Sequence, residues 1–141
     1  MSGPVKVSEA VSLALHATVF LASRPDRPVS TRDIAHALGA SEAHLSKVLQ
    51  RLAKVGLVRS TVGPCGGFVL GKPGNKITLL NVYETIEGPA QPLKCLFEHP
   101  VCAGDRCIFG ALLKEVDMRL WRWLANTKLS EVSDVFADLV A

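Results

Sequence analysis

The sequence predicts a mainly α-helical chain with one small β-hairpin and a long helix toward its end. Three observations carry this. Apolar residues recur at helical spacing through most of the 141 residues, in segments that open on Ser or Thr and often close on Gly. The β-prone runs Leu57–Val62 and Phe68–Leu70 flank Gly63-Pro64-Cys65-Gly66-Gly67, which reads as a hairpin. Composition is 48% hydrophobic and 21% charged, which describes a folded chain and excludes a disordered one.

The first helix runs from Glu9 to about Ser23 behind Ser8 as N-cap. Val11, Leu13, Leu15, Val19, Phe20 and Leu21 make it apolar nearly all round, so it should be buried. A signal-peptide core over Ala10–Ala22 is the competing reading, but Glu9 and His16 interrupt it. No apolar run has the length needed to span a bilayer, so the expected location is cytoplasmic, away from membranes. Arg24-Pro25-Asp26-Arg27-Pro28 is a turn whose prolines keep two helices from fusing. Ser30 then stands three residues before Asp33, and Ile34, Ala35 and Leu38 form an apolar face that ends at Gly39. Ser41 caps the next helix, with Leu45, Val48, Leu49 and Leu52 on one side and Gly56 at its close. Two helices joined by a short Gly-containing turn make a helix-turn-helix, and the hairpin that follows is its wing. The expected fold is a winged helix-turn-helix.

With its four apolar residues inward, the second of these helices turns Ala43, His44, Ser46, Lys47, Gln50, Arg51 and Lys54 outward. Those cationic and hydrogen-bonding groups, with Thr31, Ser41 and Arg59 from the flanking segments, are the candidate DNA contacts. Charge agrees. Residues 28–78 hold seven Lys/Arg against Asp33 and Glu42, a net of +5, while residues 79–141 carry a net of −3. Cationic side chains are thus placed where phosphates would use them. The resulting division is a DNA-binding domain over 1–78, then a sensor region with a dimerisation helix over 79–141.

After the wing, Thr78 caps a short helix with Leu79, Val82, Tyr83 and Ile86, ended by Gly88-Pro89. A loop over Pro92–Ile108 holds Cys95, Cys102 and Cys107, with six and then four residues between them. A long helix from about Ile108 to Ala125 follows, with the stripe Phe109, Leu112, Leu113, Val116, Leu120 and Leu124. A short helix restarts at Leu129. Three thiols so close in an intracellular chain argue against structural disulfides. An iron–sulfur cluster, a thiol redox switch, zinc and inert cysteines all remain open. Zinc sites favour close pairs two to four residues apart, which this loop lacks, so the wider spacing suits a cluster better. No nucleophile–base pair or phosphate loop points to an enzyme.

The chain resembles the Rrf-type winged-helix regulators, which include IscR, NsrR, RirA and CymR. The resemblance rests on Val7-Ser8-Glu9-Ala10 opening the first helix and on Ser41 to Val58 reading into Gly56-Leu57-Val58. It also rests on Gly63-Pro64 with Gly66-Gly67-Phe68 in the wing, and on the three-cysteine loop before a long helix. It implies a homodimer, crossed through the long helix, that binds a palindromic operator in double-stranded DNA and acts as a repressor. It also implies an iron–sulfur cluster, 2Fe-2S or 4Fe-4S, on Cys95, Cys102 and Cys107, sensing redox state, nitric oxide or iron status. Glu9 occupies the position of an acidic fourth ligand reached from the partner subunit in some branches, and His99 is the local alternative. The alternative function is a cluster-free regulator that answers directly to thiol oxidation. Three features depart from the family pattern: the six-then-four cysteine spacing differs from that of the IscR and nitric-oxide-sensing branches, Val62 stands where relatives commonly carry Arg, and Cys65 replaces a wing-tip glycine.

Overall fold

The computed structural model describes residues 5–93, 95–102 and 106–139. The first helix, α1 (Glu9–Ala22), lies at the centre, and Ser8 caps it by accepting the Val11 N–H at 3.2 Å. Its apolar circumference has the expected consequence: Val11, Ala14, Ala17, Thr18 and Phe20 are fully buried. The one polar member, Thr18, donates its hydroxyl to the Ala14 carbonyl at 2.9 Å, so nothing in that interior is left unpaired.

Helices α2 (Thr31–Leu38) and α3 (Glu42–Lys54) form the helix-turn-helix, with Ser30 and Ser41 as N-caps. Between them Gly39 takes the left-handed conformation (φ 64°). The Ala40 N–H reaches back to the Ala35 carbonyl at 2.9 Å, and the Gly39 N–H to His36 at 3.2 Å. This paired closure satisfies carbonyls that a helix end leaves open. The same arrangement recurs after α3, where the Leu57 and Gly56 N–H groups return to Leu52 and Ala53.

Strands β1 (Val58–Thr61) and β2 (Gly67–Leu70) pair antiparallel, with Val58 opposite Leu70 and Thr61 opposite Gly67. The wing has a third participant that periodicity does not reveal. Val29, just before α2, exchanges both backbone hydrogen bonds with Phe68, at 3.0 and 2.8 Å. A Cβ on Gly67 would lie 2.4 Å from the Val29 carbonyl oxygen, so the approach admits only glycine there.

Helix α4 (Leu79–Glu87) opens on a reciprocal capping box between Thr78 and Asn81. The long helix α5 begins at Leu112, not near Ile108, and runs to Asn126. Gly110, with φ 59°, breaks the helical path, so Ile108 and Phe109 lie in a turn. A short helix, α6 (Leu129–Val132), and a 3-10 turn over Ser133–Phe136 then return to α1. Leu129 is fully buried, and Arg24 stacks over Phe20 while donating to the Phe136 carbonyl at 3.1 Å. One core unites Phe20, Ile34, Leu49 and Val58 with Val82, Ile86 and Leu129. Among the described residues no helix is long and apolar enough to cross a membrane.

Candidate nucleic-acid interface and cysteine loop

Burial of Leu45, Val48, Leu49 and Leu52 leaves Ala43, Lys47, Gln50 and Lys54 along the exposed ridge of α3. The two flanks of that ridge differ. On one side Thr31, Ala43 and Ser46 line a shallow concavity with Glu42, and Gln50 Nε2 reaches Ser46 Oγ at 3.5 Å. Small and hydroxyl-bearing side chains there leave room for a base edge. On the other side His44 is half-buried and Arg51 is exposed, and each also has a partner within the chain. His44 Nδ1 lies 3.7 Å from Glu9 Oε1, and Arg51 Nη2 donates to the Ile86 carbonyl at 2.6 Å. Helical periodicity placed both residues outward but could not show that α1 and α4 stand beside them. Arg59 is exposed on β1, and Ser41 spends its hydroxyl on the His44 N–H at 3.3 Å. At the wing turn, Val62 is wholly exposed and Cys65 is an exposed free thiol.

The cysteine loop is pinned at its entry. The Ala90 N–H donates to Glu84 Oε2 at 2.8 Å, and the Leu93 N–H donates to Asp117 Oδ2 at 2.9 Å. Carboxylates from α4 and α5 therefore fix the chain two residues before Cys95. Sequence reasoning missed both, because no local pattern marks an acid that accepts from a loop distant in sequence. Cys95, Cys102 and Cys107 are free and half-buried, and His99 is exposed. The sulfurs of Cys95 and Cys107 each accept the backbone N–H two residues on, from Phe97 and Phe109, both at 3.4 Å. Cysteine sulfur, as thiolate, is the ligand that an iron–sulfur group needs. The donor set fits an iron–sulfur group in kind. Among the described residues, however, no three His, Cys, Asp or Glu side chains are gathered closely enough to hold one ion. Glu9 sits beside His44 instead.

Many apolar side chains of the loop and of α5 are exposed. Leu96, Phe97, Val101, Ile108 and Phe109 are exposed, as are Leu112, Val116, Leu120 and Trp123 along α5. Of the expected stripe, Leu124 is buried within the chain and Leu113 is half-buried. Trp121 packs edge-on against Tyr83, ring centres 5.0 Å apart. Burial, then the charges of Glu87 and Asp117, push the Tyr83 hydroxyl above its ordinary value.

A winged helix-turn-helix with a basic ridge, followed by a three-thiol loop, defines a DNA-binding transcriptional regulator and not an enzyme. The Rrf2 family, described as an iron-dependent transcriptional regulator, matches residues 7–134, and the chain belongs to it. It is 31% identical over 130 residues to the HTH-type transcriptional regulator IscR of Pectobacterium carotovorum subsp. carotovorum (strain PC1), covering 92% of this chain and 75% of that protein. In structure it is similar to CymR, the global cysteine regulator of B. subtilis, with a TM-score of 0.77 and 26% identity, over 93% of this chain and 98% of that one. T. potens IscR shares the fold at a TM-score of 0.71 and 24% identity, over 98% of this chain and 94% of that one.

Proposed function

We propose that the chain is a homodimeric repressor whose binding to a palindromic operator is controlled by an iron–sulfur cluster on Cys95, Cys102 and Cys107. The observation that carries this is the pair of N–H donors aimed at the Cys95 and Cys107 sulfurs. Glu9, contributed across the dimer, is the fourth ligand, with His99 as the alternative. Residues 1–78 bind DNA and residues 79–141 sense and dimerise, in the cytoplasm. The exposed apolar face of α5 supports a second copy of the chain as its cover, since a contiguous patch of that kind marks an interface. A two-fold dimer explains a palindromic site. The cluster would supply redox and nitric-oxide reactivity. The protein's own part is to supply three cysteine sulfurs, two of which accept backbone N–H groups, and to present Lys47, Gln50 and Lys54 to DNA beside Ser46, Thr31 and Arg59.

Two measurements test this reading. Anaerobically purified protein should absorb between about 300 and 500 nm, and alanine at any of the three cysteines should remove those bands. Operator affinity should differ between cluster-loaded and cluster-free protein at the same salt. Lys47→Ala should weaken operator binding by about 1–3 kcal/mol if the ammonium reads a base, or flatten the salt slope by about one if it neutralises a phosphate. An unaffected variant would move the DNA face elsewhere.

A second reading is supported by the three free thiols, which among the described residues no group of three donors unites, and by the likeness to a cysteine regulator. In it the thiols answer oxidant directly, without metal. Colourless protein that loses thiols and operator affinity together on peroxide treatment would select this reading over the first.

A further inference from the structure

The flank of α3 that carries His44 and Arg51 faces the two segments that the proposed sensor uses, the start of α1 and the end of α4. We propose that Arg51 is not a reader of DNA but the positioning residue that couples the cysteine loop to the recognition helix. This rests on the reading above, that the state of the loop controls operator binding.

The coupling begins with a vacant acceptor. In a longer helix the Ile86 carbonyl would accept the Ala90 N–H, four residues on. Gly88 leaves the helical path with φ 86° and ψ −176°, and Pro89 disfavours helical geometry at the residue before it. The Ala90 N–H turns to Glu84 Oε2 instead. Ile86 is then free to accept from Arg51 Nη2 at 2.6 Å. A guanidinium at the carbonyl end of a helix also meets the negative end of its dipole, so the contact is charge-assisted. The helix itself places Arg51 about 70° around α3 from the ridge of Ala43, Lys47, Gln50 and Lys54, at 100° per residue, and the bond ties its guanidinium to α4.

The same turn of α4 starts the cysteine loop. Beyond Gly88 the chain is tied at Ala90 and Leu93, and Cys95 lies two residues further. Glu87, next to Ile86, accepts the Ser8 hydroxyl at 2.6 Å, and the following residue, Glu9, faces His44 at 3.7 Å. Arg51 therefore joins this turn to α3 directly, while the exposed Glu9, assigned above to the cluster, is not a second strut. Displacing the loop entry moves the acceptor of Arg51, and a packed helix passes that displacement on as a unit.

The test is Arg51→Met, which keeps the aliphatic stem and removes the donors, read by operator affinity across a salt series in cluster-loaded and cluster-free protein. The variant should bind operator about ten-fold more weakly or worse, as loss of a charged hydrogen bond implies, with the wild-type salt slope retained. Its ratio of loaded to free affinity should fall to about one. A preserved ratio with a slope flattened by about one would overturn the proposal and return Arg51 to the DNA face. A wild-type ratio of one would instead sink the sensor reading, and the coupling with it.

Gly88→Ala supplies a route that needs no cluster and leaves α3 untouched. The added Cβ meets nothing within 4 Å, so only the left-handed backbone is strained. It should weaken operator binding in the wild-type background and add nothing to Arg51→Met. Independent, additive losses would overturn the coupling.

Discussion

The helix-turn-helix with its wing and the stretch from the cysteine loop through α5 are built on opposite terms. In the first, Ile34, Leu45, Leu49 and Leu52 are 0% exposed, and both helix starts and both helix ends are closed by hydrogen bonds. In the second, Ile108 is 84%, Val101 72% and Trp123 61% exposed, and two carboxylates are what tie the loop entry. The first region completes its interior from one chain. The second leaves the apolar side chains on either side of three thiols exposed, which is the surface that the proposed homodimer would cover. Stability and assembly should therefore be separable by mutation.

The largest expected effect is Leu49→Ala, which should cost about 2–5 kcal/mol of unfolding free energy by denaturant titration, because a fully enclosed cavity results. A loss near zero would mean that the helix-turn-helix interior is looser than its burial implies. Val116→Glu sharpens the contrast from the other side. Val116 is 44% exposed in the single chain, so helix content by circular dichroism should be unchanged while sedimentation shows monomer and operator binding disappears. A variant that remains dimeric would place the interface elsewhere. The smallest effect lies at the seam, where Tyr83 of α4 meets Trp121 of α5. Its pKa is raised from 10.0, mainly by burial, so the fold favours the neutral phenol. That contribution is complete below pH 10 and is lost as pH rises through the folded value. Tyr83→Phe keeps the ring without the titration, so wild type should lose stability more steeply than the variant in alkaline solution. Parallel curves would remove Tyr83 from the seam's energetics.

What was legible in the sequence was local. Ser8, Ser30, Ser41 and Thr78 cap the helices that the sequence assigns to them, because a cap and its N–H partner lie within three residues. The wing was legible from its glycines and flanking β-prone runs. Contacts between distant segments were not. Periodicity gives the angle of Arg51 around α3, but the acceptor it finds is 35 residues away on α4. Periodicity starts α5 too early, because Ile108 and Phe109 continue an apolar pattern that Gly110 interrupts. The cysteines were legible as a set by composition, whereas their N–H donors and the anchoring role of Glu84 and Asp117 depend on loop geometry that no spacing encodes.

The bond between Val29 and Phe68 carries a mechanical consequence. A free hairpin could swing to suit whatever groove it met. This one is stitched to the residue that precedes α2, so wing and α3 form a single stiff caliper with a fixed gap. A duplex held by both would have to adapt its groove width to that gap, and the elastic cost of doing so would vary with base steps that no side chain touches. Sequence preference would then arise between the contacted positions, from the pliancy of the DNA and not from any donor or acceptor on the protein.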